Sequence, residues 1–233
     1  NLKECPDSSL IYMLHTWIDE WDDGGGCFLA DPEWYVRTSD LRGAIERSRL
    51  DETPVLIAGT AFSFMHVLDR IRKEGFPPLA AGSMVVETGG FKGRSRTVSR
   101  VKLYEAIADS FGISMARIVN EYGMTELLSQ FYEPVLLEDG PEDPGNRRHL
   151  GPPWVRTRIL NPHTLHAVPS GHPGILCHID LANLDSVAVI LTEDLAVAAG
   201  EGFRILGRAQ DAAPRGCSLI MEELLSISDR EAR

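Results

Sequence analysis

Residues 54–88 read PVLIAGTAFSFMHVLDRIRKEGFPPLAAGSMVVET, and this stretch decides the fold. PVLIAG is a continuous apolar run opened by Pro54, as expected of a strand in a parallel sheet. AFSFMHVLDRIRKEG reads as a helix, and SMVVET as a buried strand. The alternation continues downstream with a helix over SRVKLYEAIADSFG, capped at Ser99, and a strand over RIVNEYG. Upstream, a short apolar run at CFLA precedes a helix from about Ser39 to Arg49. Before that, Ser8 or Ser9 can cap a helix that ends at Gly24, Gly25 and Gly26. Its Leu10, Leu14, Trp17, Ile18 and Trp21 form an apolar face expected to pack on a sheet. Strands alternating with helices predict an α/β fold, a mostly parallel sheet with flanking helices.

After about Pro134 the pattern changes. WVRTRIL, GILCHIDL, SVAVILTED and FRILG are short β-prone runs separated by Gly, Pro and Asn turns, which predicts a smaller antiparallel β-rich subdomain. The stretch LEDGPEDPGNRRHLGPP between the two halves reads as a surface loop. The organisation expected is an α/β subdomain over residues 1–133, a β-rich subdomain over 134–216 and a short tail over 217–233.

The chain has 233 residues, 23 of them Lys or Arg against 34 Asp or Glu, a formal net charge of -11 that argues against nucleic acid as a partner. Cys5, Cys27, Cys177 and Cys217 are scattered, without a CxxC pair or a secretory signal, and read as reduced thiols in a cytoplasm. The most apolar stretch, SVAVILTEDLAVAAG, is interrupted by Glu193 and Asp194, so no membrane span is expected. The opening NLKECPDSSL has no initiator Met and leads into a helix almost at once, which reads as a piece of a longer chain.

In open parallel sheets ligands bind at the carboxyl ends of the strands, so the segments after SMVVE and RIVNE are where chemistry is sought. ETGGFKGRSR places Gly89, Gly90 and Gly93 where backbone can approach a ligand, and adds Lys92, Arg94 and Arg96. The same stretch also reads as a glycine-rich turn with solvated basic side chains; it is neither a GxxxxGK[ST] loop nor a GxGxxG. NEYGMTE then offers an amide at Asn120, an aromatic face at Tyr122, a hydroxyl at Thr125 and a carboxylate at Glu126, enough for one nucleotide.

YGMTE, from Tyr122 to Glu126, resembles the YGxTE signature of the adenylate-forming superfamily of acyl-CoA synthetases, peptide-synthetase adenylation domains and luciferases. The resemblance implies an adenylate-forming-enzyme-like fold that uses ATP and Mg²⁺. It implies that Tyr122 stacks on adenine, Asn120 meets its amino edge, Thr125 binds the α-phosphate and Glu126 holds Mg²⁺, with Glu87, Gly89, Gly90 and Gly123 also at the nucleotide. TEDLA, from Thr192, resembles the superfamily's TGD segment with Glu193 in place of glycine, which gives Asp194 the ribose hydroxyls. GRAQDAAPRG, from Gly207 to Gly216, resembles the GRxxD hinge segment, which gives Arg208 a ribose or phosphate contact and makes Asp211 the pivot.

ETGGFKGRSR, NEYGMTELLSQFYE and GRAQDAAPRGCSL look most like the acyl-protein synthetases of the bacterial luminescence fatty-acid reductase system, with the likeness running from SSLIYM to RGCSL. That resemblance implies activation of a carboxylic acid, a fatty acid, to an acyl-adenylate. The acyl group then passes to a cysteine near the C-terminus and on to an acyl-protein reductase, or to CoA in a ligase of the CoA type. Cys217 stands where such a thiol is expected, and Arg215 beside it favours the thiolate; a small buried hydrophobe is the other reading of this cysteine. The superfamily's upstream phosphate loop is not found in these residues, and residues 217–233 are too few for the usual C-terminal domain.

Two further clusters have competing readings. His163, His166 and His172, with His178 shortly after, could bind zinc or mark a Pro/Gly turn between strands. Phe62, Phe64 and Met65 could line an acyl pocket or fill the core.

Overall fold

The computed structural model describes residues 3, 5–22, 24–30, 36–89, 98–138 and 143–209. The chain divides into two compact units, the first reaching Ile118 and the second running from Val119. The division falls ahead of the change of sequence pattern near Pro134.

The first unit carries the strand and helix alternation. Helices α1 (Ser9–Trp21) and α2 (Thr38–Leu50) precede strand β1 (Leu56–Thr60), helix α3 (Ala61–Glu74), strand β2 (Met84–Thr88) and helix α4 (Arg100–Phe111). β1 and β2 pair in parallel, with Gly59 opposite Glu87 and Thr60 opposite Thr88. Thr60 ends β1 and caps α3, its side chain accepting from the Ser63 amide at 3.1 Å, so the strand turns directly into the crossover helix. Ser99 caps α4 in the same way, and Gly112 closes it in the left-handed conformation at φ 65°. Phe64, Leu68 and Ile71 of α3 and Leu103, Tyr104, Ile107 and Phe111 of α4 are buried with Val85 in one core. Phe64 is thus a core residue and Met65 packs against that core, while Phe62 lies edge-on to His66.

α1 forms where expected, capped by Ser8, but its apolar stripe behaves differently. Only Ile11 is buried, and Trp21 is 68% exposed, stacked on Trp17 at 5.5 Å. The two indoles cover part of each other's apolar surface. CFLA leads only to an isolated bridge between Ala30 and Val36.

Strand β3 (Ile118–Tyr122) starts on the last residue of the first unit and continues in the second, where it pairs antiparallel with β4 (Phe131–Tyr132), placing Tyr122 opposite Phe131. Strands β5 (Val155–Leu160), β6 (Gly174–Asp180), β7 (Val189–Ala199) and β8 (Gly202–Arg208) form an antiparallel meander in sequence order. Leu127, Phe131, Val155, Leu176, Ala196 and Phe203 are its buried core, with Tyr122 and Met124 packed against them. His163, His166 and His172 are exposed on the β5–β6 connection, and among the described residues no group of three or more His, Cys, Asp or Glu side chains is placed to hold a metal ion. His178 instead lies fully buried in β6. Among the described residues no helix is long and apolar enough to cross a membrane.

Candidate functional site

Tyr122 ends β3 and is ringed by aromatic side chains, Phe131, His149, His178 and Phe203, with centroids between 5.7 and 6.1 Å away. Its hydroxyl donates to Asp194 Oδ2 at 2.8 Å. Burial, followed by the Asp194 charge, pushes the phenol well above its ordinary value, so it stays a neutral donor. Asp194 lies in β7 directly opposite Arg208 in β8. The Arg208 Nε stands 3.5 Å from Asp194 Oδ1, and its Nη2 donates to Glu193 Oε2 at 2.7 Å.

A β-bulge produces that juxtaposition. Leu195 pairs with Gly207 but Ala196 with Ile205, leaving Leu206 as the extra residue, and Gly207 takes φ 136°, where a side chain is strained. The kink brings Arg208 opposite Asp194 at the end of the strand. Three residues expected at a nucleotide, Tyr122, Asp194 and Arg208, are therefore brought together from positions far apart in the chain. Glu193, the departure from the TGD pattern, holds the guanidinium.

Asn120, two residues before Tyr122, is buried, and its Oδ1 lies 2.7 Å from His149 Nε2. Its backbone N–H donates to Glu133 Oε2 at 3.1 Å. Glu133 in turn pairs with Arg147 at 3.5 Å, the two side chains being 0% and 2% exposed. A carboxylate and a guanidinium at such burial hold each other and the strand that presents Asn120. Gly123, Thr125 and Glu126 follow on an exposed turn, closed by a bond from the Leu127 amide to the Met124 carbonyl at 3.1 Å. Leu127 is buried and anchors the turn in the core. Among the described residues the Glu126 carboxylate makes no hydrogen bond or ion pair; only its backbone carbonyl is engaged, by Asn183.

In the first unit, Glu87 is buried near the end of β2 and accepts from the Tyr104 hydroxyl at 3.3 Å. Gly89 follows the strand at φ 75°. Gly90, Asp211 and Cys217 lie outside the described residues, as do Lys92, Arg94, Arg96 and Arg215.

His149, Glu133 and Arg147 are not singled out by the sequence, and Glu193 is given no role there. Glu193 alone had a local signal, since it departs from glycine in a motif otherwise matched.

Solved structures similar to this chain include adenylate-forming enzymes. A 2-hydroxyisobutyryl-CoA ligase in an open conformation, in complex with 2-HIB-AMP and CoA, superposes with a TM-score of 0.53 at 17% identity, covering 78% of this chain and 42% of that one. ATP-bound MatB from Rhodopseudomonas palustris gives 0.51 at 18% identity over 88% of this chain and 44% of that one. At such identities the likeness defines the fold alone, an α/β unit followed by an antiparallel β unit. Residues 39–226 match the acyl-protein synthetase (LuxE) family, and the chain belongs to that family. It is 26% identical over 194 residues to the long-chain-fatty-acid–luciferin-component ligase of Aliivibrio fischeri, covering 78% of this chain and 48% of that protein. The Vibrio harveyi ligase of the same name is 23% identical over 154 residues, 62% of this chain and 38% of that protein. The chain thus spans less than half the length of either relative.

Proposed function

We propose that the full-length protein activates a fatty acid with ATP to an acyl-adenylate and then passes the acyl group to a cysteine thiol. The observation that carries this reading is the convergence of Tyr122, hydrogen-bonded to Asp194, and Arg208, ion-paired with it, just before the Thr125–Glu126 turn. A ribose with two adjacent hydroxyls needs an acceptor held still, and Asp194 is held on one side by a phenol and on the other by a guanidinium. Tyr122 provides the ring for adenine, Asn120 its amino edge, and Thr125 a hydroxyl for the α-phosphate. Glu87, Gly89, Gly90 and Gly123 complete the nucleotide-binding set.

Mg²⁺ fits the donor set of the turn, since Glu126 presents an exposed carboxylate oxygen that competes with no pairing among the described residues. When bound, the cation offsets the repulsion between the substrate carboxylate and the phosphates. Chemically, a carboxylate oxygen bonds to the α-phosphorus as the bond to the β-phosphate oxygen breaks, and pyrophosphate leaves. The Cys217 thiolate then bonds to the acyl carbon and AMP leaves, which conserves the activation as a thioester. Arg215 favours that thiolate, Asp211 is the pivot between the two half-reactions, and a cytoplasmic acyl-protein reductase is the consumer. The names of the two bacterial ligases support a long-chain acid.

The test is ATP–pyrophosphate exchange by the full-length protein against a panel of fatty and aromatic acids, with Glu126→Ala as the control. Exchange with long-chain acids that Glu126→Ala loses by at least about a hundredfold is expected. No exchange with any acid would leave a nucleotide-binding module without this chemistry. Acyl-CoA formation that survives Cys217→Ala would make CoA the acceptor.

A further inference from the structure

The turn that presents Thr125 and Glu126 belongs to no helix or strand, yet its backbone is gripped from the β6–β7 connection. Asn183 is 4% exposed, and its carboxamide makes three bonds. Oδ1 accepts from the Leu128 amide at 2.9 Å, and Nδ2 donates to the Glu126 carbonyl at 2.7 Å and to the Val187 carbonyl at 3.0 Å. A carboxamide offers one donor face and one acceptor face in a plane, as a peptide group does. Asn183 therefore holds residues 126 and 128 as a neighbouring strand would, where no strand is present.

Asp180, fully buried, continues the grip one residue on. It accepts from the Ser129 amide at 3.0 Å, from the Ser129 hydroxyl at 2.9 Å and from the Ala182 amide at 2.9 Å, so one carboxylate ties its own loop to the turn. Trp154 closes the set, its Nε1 donating to Ser129 Oγ at 2.9 Å. Buried polar groups so fully engaged fix a backbone in one conformation.

We infer that Asn183 and Asp180 are positioning residues for the nucleotide turn: they hold the backbone on which Thr125 and Glu126 meet the phosphates and their cation. This rests on the nucleotide role of the turn given above. Neither side chain touches the substrate, and each acts through the backbone of residues 126–129. A side chain that orients a metal-binding carboxylate in this way typically changes metal or ligand affinity by about tenfold to a hundredfold.

Asn183→Asp keeps size and shape but replaces the donor with an acceptor that faces the Glu126 and Val187 carbonyls. In the full-length protein, Asn183→Ala, which also removes the acceptor of the Leu128 amide, should speed hydrogen exchange read by mass spectrometry by about tenfold at that amide and leave α3 and α4 unchanged. MgATP binding measured by calorimetry should weaken by about tenfold, while ATP binding without Mg²⁺ changes little. Asn183→Ala is the second variant if the carboxylate prevents folding, with the same expected direction. Glu126→Ala is measured in parallel. Weak MgATP binding by Glu126→Ala alongside unchanged binding by the Asn183 variants would overturn the positioning role and leave the nucleotide reading standing. Unchanged binding by Glu126→Ala would overturn the nucleotide reading, and the positioning role with it. Unchanged exchange at Leu128 in Asn183→Ala would overturn the grip itself.

Discussion

Lowering the pH from 7 to 5 should destabilise the second unit through one side chain, His178. Its imidazole is fully buried in β6 between Tyr122, Phe131 and Phe203, with ring centroids 5.8, 4.7 and 5.6 Å away. Nδ1 is 3.0 Å from Thr157 Oγ1, and Nε2 is buried with no hydrogen-bond partner among the described residues. Burial lowers the ring from 6.5 to about 4, against a smaller opposing pull from Asp180. A lowered value means that the unfolded chain takes up a proton where the folded one does not. Stability is therefore full above pH 6.5, falls as pH drops toward 4, and levels below that. At about 1.4 kcal/mol for each unit of separation, the loss between pH 7 and pH 5 comes to about 2 kcal/mol. Urea unfolding at the two pH values, followed by near-ultraviolet signal, measures it, and His178→Phe supplies the comparison because a ring of similar size does not titrate. The variant should lose about 2 kcal/mol less between pH 7 and 5 than the parent. Equal losses in the two proteins, or a His178 ring that titrates above pH 6 by nuclear magnetic resonance, would refute the reasoning. Because His178 packs on Tyr122, the same acid step should loosen the ring whose hydroxyl donates to Asp194.

Two further outcomes follow from packing in the second unit. Glu133→Ala removes the carboxylate from a guanidinium that is 2% exposed and takes an acceptor from the Asn120 amide, which should cost about 3–5 kcal/mol by urea unfolding. Replacing both partners with Leu and Met should recover most of that loss, and a single-variant loss below about 1 kcal/mol would mean that the pair holds nothing. Gly202→Ala should cost more than about 1 kcal/mol in the same assay, because the added Cβ runs into the backbone carbonyl of His149, where the 149–203 bridge is closed on both sides by hydrogen bonds.

The first unit was legible because its signals are local. Thr60 and Ser99 cap their helices through the residue three positions on, and β1 and β2 are apolar runs that need no partner to be recognised. α1 was half legible. Its start is set by Ser8, but which stripe becomes buried depends on what lies against the helix, and there Ile11 displaced the Trp17 and Trp21 flank. β7 shows the complementary failure. SVAVILTED reads as a strand that ends at the acidic pair, whereas the strand runs from Val189 to Ala199, straight through Glu193 and Asp194. Pairing with β8 carries it past the charges, and the three residues before Val189 stay outside it in the loop that grips the turn.

The candidate site divides along the same physical line. Tyr122, Asp194 and Arg208 could be named from short motifs because each side chain is recognised within its own few residues. The groups that hold them could not, since the bonds cross long separations: 72 residues from Tyr122 to Asp194, 57 from Asn183 to Glu126 and 29 from His149 to Asn120. Nothing at Asn183 taken alone distinguishes it from any loop asparagine; its meaning arises only when the Glu126 carbonyl and the Leu128 amide are found facing its two sides. Glu193 lies between these cases. Within the motif it reads as a loss of glycine, but in the fold, one residue before the Asp194 that faces Arg208, it is the carboxylate that takes up the guanidinium's Nη2, with Nε 3.5 Å from Asp194. A glycine there would take away that acceptor and leave the guanidinium, among the described residues, only its 3.5 Å approach to Asp194.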